Sequence, residues 1–154
     1  MTGAPNPWRS PHPFTAERIH AAAIYCSDGR FGEAFDEFLH NELGLPHYDR
    51  FAVPGGAAAL AGHISAYREE ESLLEQLRFL IAAHDLDRIV LIAHHGCGFY
   101  LKKLHTPEER LAARQSEDLA KAAAALVQLR PSLRVDAFMA FVESDRVVIE
   151  PVQI

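Results

Sequence analysis

Arg88-Ile89-Val90-Leu91-Ile92-Ala93-His94-His95-Gly96-Cys97 is the stretch on which the fold turns. Its first six residues form a continuous strand-forming run that includes the β-branched Ile89, Val90 and Ile92, as expected for a central parallel strand buried on both faces. The run stops at two histidines, a glycine and a cysteine, so chemistry-bearing side chains stand at a strand's carboxyl end. Ligands of open α/β sheets bind there.

A second segment repeats the pattern. Ala21-Ala22-Ala23-Ile24-Tyr25 reads as a short buried strand and runs into Cys26-Ser27-Asp28-Gly29-Arg30. Cys26 and Cys97 are the only cysteines of the chain. Between these segments, residues 31–43 place Phe31, Phe35, Phe38 and Leu39 on one helical face, with Glu33, Asp36 and Glu37 opposite and Gly44 as the stop. Residues 50–53 read as a strand closed by Pro54-Gly55-Gly56. Residues 57–63 are alanine-rich and read as helical, and 15–18 as a short turn. Residues 72–83 carry the stripe Leu73, Leu74, Leu77, Leu80 and Ile81, preceded by a solvated Glu69-Glu70-Glu71 turn. Thr106-Pro107-Glu108-Glu109 predicts a helix capped by Thr106 and running to about Leu129, where Pro131 ends it. Residues 133–142 and 147–152 read as two last strands turned at Ser144-Asp145-Arg146. Alternation of strands and helices predicts an α/β fold: one domain, a mostly parallel central sheet flanked by helices, the last strand antiparallel.

At 154 residues the chain is expected to hold one domain over 15–154, preceded by a proline-rich arm over 1–14. A net charge of −6 argues against nucleic acid as a partner. No apolar stretch reaches membrane-spanning length, and the arm lacks the apolar segment of a secretory leader. The expected compartment is the cytoplasm, where a Cys26–Cys97 disulfide is not expected. No glycine-rich run leads into a Lys-Ser or Lys-Thr pair, which excludes a phosphate loop. No Cys-x-x-Cys pair points to a redox protein.

Two thiolates and one imidazole suit a catalytic zinc site with an open fourth position. Cys26 and Cys97 supply the sulfurs, and His94 or His95 the nitrogen. If the strands before them are neighbours, both segments open onto one crevice. Asp28 is close enough to Cys26 to be the fourth ligand itself or to accept a hydrogen bond from a bound water, and Arg30 competes for the same carboxylate. His95, when not a ligand, reads as a loop side chain or proton shuttle. The seven other histidines lack ligand spacing and read as surface or capping groups.

Cys26-x-Asp28-x-Arg30 and His94-x-x-Cys97-Gly98 resemble the two signature motifs of the β-class carbonic anhydrases. The resemblance implies that Cys26, His94 and Cys97 bind Zn2+ and that the Asp28–Arg30 pair gates the fourth position. It further implies reversible hydration of carbon dioxide to bicarbonate through a zinc-bound hydroxide, with a homodimer or a dimer of dimers as the assembly. Pro54-Gly55-Gly56 resembles the family's glycine-bearing loop. The chain departs from the family at Ala52-Val53-Pro54, where an arginine and an asparagine are usual, and in its short arm. Two rival readings keep the zinc: hydrolysis of carbonyl sulfide or carbon disulfide, and a non-catalytic regulatory domain with Asp28 permanently on the metal.

Overall fold

In a computed structural model that describes residues 6–154, five strands form one sheet in the order β2-β1-β3-β4-β5. The strands are β1 (Ala21–Cys26), β2 (Asp49–Val53), β3 (Arg88–His94), β4 (Arg134–Glu143) and β5 (Arg146–Val152). The first four are parallel and β5 is antiparallel to β4, as the sequence predicts. The helices are α1 (Gly32–Glu37), which widens into a π turn over Phe38–Glu42, then α2 (Tyr67–Ala83) and α3 (Glu108–Leu129). None is long and apolar enough to cross a membrane among the described residues.

The continuous apolar runs of β1 and β3 arise because both faces of these strands are covered. Ala22, Ile24, Ile89, Leu91 and Ala93 face a core closed by Leu73, Leu77 and Ile81 of α2 and Leu119, Ala122 and Leu126 of α3. The alternate residues Ala21, Ala23, Tyr25, Val90 and Ile92 face Phe31, Phe35 and Leu39. The period of two then puts His94 on the α1 side, where its ring packs against Phe31 with centroids 4.5 Å apart. Each fully buried Leu on these faces contributes roughly 1.5–3 kcal/mol of transfer free energy.

Several local expectations are corrected. Helix α2 starts at Tyr67, five residues before the expected Ser72, since Arg68 and the three glutamates are good helix formers and Glu69 also pairs with Lys103. Thr106 does not cap α3: Pro107, with ψ 142°, holds the cap position without a side-chain bond. Residues 15–18 form no turn; Arg18 instead reaches the carbonyls of His84 and Asp85. Helical structure in the alanine-rich segment is a 3-10 turn over Gly56–Leu60, and chain direction changes at Gly62 (φ +76°). Residues 1–5 of the expected arm lie outside the described residues, and residues 6–14 are exposed without regular structure.

Candidate metal centre

Strands β1 and β3 are neighbours, and the chain leaves the sheet in opposite lateral directions from them. The point between their carboxyl ends is the topological switch point at which such sheets form a crevice. The register carries Tyr25 opposite Ile92, so Cys26 and His94 leave the sheet side by side. Gly96, at φ +68°, turns the chain back so that Cys97 rejoins them; Gly98 has an ordinary helical φ of −62° and is not needed for the turn.

The Sγ atoms of Cys26 and Cys97 lie 3.9 Å apart, and one donor atom from each of Cys26, His94 and Cys97 falls within 4.8 Å of the others. Both cysteines are free thiols. His94 Nδ1 lies 2.8 Å from the His95 carbonyl, which only accepts, so Nδ1 carries the proton. Its Nε2 therefore presents a lone pair, and it is buried with no hydrogen-bond partner. Burying such an atom unsatisfied costs about 1–3 kcal/mol. Two soft thiols and one unpartnered imidazole nitrogen fit a thiophilic metal such as zinc. Cys97 donates to Cys26, and against the opposing effect of burial this contact, the neighbouring His94 imidazole and the backbone N–H groups of Gly55 and Asp28 lower the Cys26 thiol below its ordinary pKa. The same contact and burial raise Cys97.

The loop after β2 packs directly on this motif. Gly56 (φ +54°) sits where a Cβ would come within 3.0 Å of the Tyr25 carbonyl carbon and the Cys26 nitrogen. Gly55 (φ +78°) lies against the ring of Phe99. Phe99 also lines an apolar cleft of about 590 Å³ with Val53, Pro54, Ala59 and Leu73.

Asp28 lies outside the three-residue cluster among the described residues. Its carboxylate is gripped by Arg30, Nη2 to Oδ2 at 2.6 Å and Nε to Oδ1 at 3.0 Å, with the Arg30 backbone N–H also on Oδ1 at 3.1 Å. This fork holds the carboxyl down to about 2. The Asp28 carbonyl accepts from Phe31 N–H and leads the chain into α1. His95 is exposed and stacks near Phe141.

One polar network was not expected from sequence. Asp118, fully buried on α3, accepts from Tyr100 Oη at 2.7 Å and from His63 Nε2 at 2.6 Å. Gln115, also buried, donates to the His94 carbonyl at 2.7 Å. His63 is thus nearly buried in a network, not the surface or capping group expected. The available signal is that Gln115 and Asp118 are polar residues standing in step with the apolar stripe Leu111, Leu119, Ala122 and Leu126.

Residues 16–152 match the model of a protein family described as "Putative carbonic anhydrase". A protein of Rickettsia bellii (strain RML369-C), described as uncharacterized, is 28% identical over 137 residues, covering 83% of this chain and 80% of its own. Of solved structures, β-carbonic anhydrase isoform I of Trichomonas vaginalis aligns with a TM-score of 0.54 at 10% identity, over 90% of this chain and 87% of its own. The β-carbonic anhydrase CafD of Aspergillus fumigatus aligns with a TM-score of 0.51 at 15% identity, over 92% and 94%. At these identities the shared property is the fold. The family match spans all five strands and both cysteine motifs, and the chain belongs to this carbonic anhydrase family as a divergent member with the β-class fold.

Proposed function

We propose that the protein is a zinc-dependent enzyme that hydrates carbon dioxide reversibly to bicarbonate and a proton. The observation that carries this reading is the buried, unpartnered Nε2 of His94 facing two thiols whose sulfurs are 3.9 Å apart. Cys26, His94 and Cys97 would hold the metal. Zinc bound there supplies Lewis acidity, which makes water a nucleophile near neutral or mildly alkaline pH.

The remaining work falls to the chain's own residues. Arg30 holds the Asp28 carboxylate in a fork, so that it orients a reacting water by accepting its proton in a hydrogen bond and does not complete the ligand set. Gly55 and Gly56 let their loop lie against Cys26 and Phe99 without side-chain crowding. Burial of His94 and Cys97 keeps bulk water from competing for the ligands.

Stopped-flow carbon dioxide hydration on zinc-quantified protein, beside Cys26→Ser and Asp28→Ala, tests the reading. Expected are about one zinc per chain with turnover in the wild type, loss of both in Cys26→Ser, and retained zinc with most turnover lost in Asp28→Ala. Full turnover in Asp28→Ala would refute the orienting role. Full zinc without carbon dioxide turnover would refute the substrate and favour carbonyl sulfide or carbon disulfide, or a non-catalytic site.

A further inference from the structure

His94 closes β3 where the sheet comes apart. The N–H of His95 bonds the Ala140 carbonyl of β4 at 2.9 Å, so by strand alternation the peptide groups of His94 point toward β1. Strand β1 cannot answer. Its last register pair with β3 is Tyr25 with Ile92; Ser27 N–H continues the ladder to the Val53 carbonyl of β2 at 3.1 Å, and the next donor that would face β3, Asp28 N–H, is taken by the Cys26 thiol. A buried carbonyl at that position needs another donor. Gln115 of α3 supplies it, Nε2 to the His94 carbonyl at 2.7 Å.

One turn along the same helix, Asp118 takes the hydroxyl of Tyr100 at 2.7 Å. Tyr100 belongs to the π turn Phe99–Lys103, which begins two residues after Cys97, and it packs with Cys97 in one cluster. Asp118 is itself held from behind by His63 Nε2 at 2.6 Å. Arg114 Nη2 stands 3.1 Å from His63 Nδ1, which makes Nε2 the protonated nitrogen that donates to Asp118. Apart from His94, Gln115 and Asp118 are the buried polar side chains of the described residues. Both sit on α3, and each is tied to one ligand-bearing segment of the second motif. A buried amide and a buried carboxylate pack an apolar interface worse than Leu or Met, so their contribution lies in position rather than burial.

We infer that α3 is the bracket of the metal centre: Gln115, through the His94 carbonyl, and Asp118, through Tyr100, are positioning residues that set the separation of His94 and Cys97. This rests on the reading of Cys26, His94 and Cys97 as metal ligands. Outer partners of metal ligands change affinity by about 10–100-fold when removed.

The test compares full-length wild type, Gln115→Met and Tyr100→Phe. Cobalt(II) and zinc are titrated against a chromophoric chelator, the cobalt–thiolate absorption bands are recorded, and the metal-free proteins are unfolded in urea. Each variant should bind both metals about tenfold or more weakly and show altered cobalt bands, by more than any change in metal-free stability explains. Tyr100→Phe removes a single hydroxyl and keeps the test decisive if Gln115→Met does not fold. Wild-type affinity and bands in the folded variants would overturn the inference. So would an affinity loss matched by an equal loss of metal-free stability, which assigns the residues to the fold alone. The readout is the metal, so a wild type that binds cobalt yet does not hydrate carbon dioxide refutes the enzymatic reading while the variants still decide this one. A wild type that takes up no cobalt overturns both.

Discussion

Gly56→Ala isolates how tightly the first cysteine motif is held. At φ +54° a non-glycine residue costs about 1–2 kcal/mol of backbone strain. The added Cβ would lie 3.0 Å from the Tyr25 carbonyl carbon, 3.0 Å from the Cys26 nitrogen and 3.2 Å from the Tyr25 Cα. These are backbone atoms of β1, which is hydrogen-bonded to β2 on one side and β3 on the other, so no rotamer change relieves them. Overpacking of this kind adds about 1–3 kcal/mol. Gly44 is the internal control: its φ is +65°, and nothing lies within 4 Å of the Cβ it would gain. Gly44→Ala should therefore show the backbone cost alone. The total for Gly56→Ala is about 3 kcal/mol, or roughly 6–12 °C in Tm for a chain of this size. Urea unfolding of the metal-free proteins at one fixed concentration removes linkage to metal and to assembly. Zinc affinity, measured separately, should fall in Gly56→Ala and hold in Gly44→Ala, because the displaced backbone carries Cys26. Equal destabilisation by the two substitutions would refute the reasoning.

Two further outcomes follow from buried polar groups elsewhere. Burial raises the Tyr48 and Tyr100 hydroxyls above the ordinary tyrosine value, with Asp36 and Asp118 accepting their protons. The unfolded chain releases these protons near pH 10 while the folded chain keeps them. Stability is thus untouched below about pH 10 and falls above it by up to about 1.4 kcal/mol per pH unit per tyrosine; Tyr100→Phe should lessen that slope in urea unfolding at pH 10–11, and an unchanged slope would count against it. At the other end of the sheet, Arg88 Nε donates to Asp136 Oδ2 at 2.7 Å with both side chains largely covered. Asp136→Ala should cost about 2 kcal/mol by leaving the guanidinium of Arg88 without its carboxylate, and a loss below about 0.5 kcal/mol in the urea midpoint would show that solvent replaces the carboxylate.

How much of this was legible in the sequence depended on the range of the interaction. Strands β1 and β3 were legible because they are covered on both faces and so read as unbroken apolar runs. The stripes of α2 and α3 were legible from periodicity, whereas the start of α2 was not, since Arg68 and three glutamates carry no apolar signal. The Asp28–Arg30 pair is two residues apart and forms within one turn. Gln115 and Asp118 were not legible because their partners lie 21 and 18 residues away in sequence. His63 was not legible for the same reason, 55 residues from Asp118.

The sequence by itself determined the kinds of donor available, two thiols and an imidazole, and the strand ends on which they stand. It also determined the local turns, with Gly44 and Gly96 at positive φ. Only the tertiary structure decided that the two motifs meet, with sulfurs 3.9 Å apart across 71 residues of chain, and that the His94 ring is pinned by Phe31 and its carbonyl by Gln115. The reason is physical. Periodicity and turn chemistry act over a few residues, whereas the placement of β1 beside β3 follows from packing α1 on one face of the sheet and α2 and α3 on the other. That order, and the parting of β1 from β3 at their carboxyl ends, opens the crevice in which three distant side chains become one site.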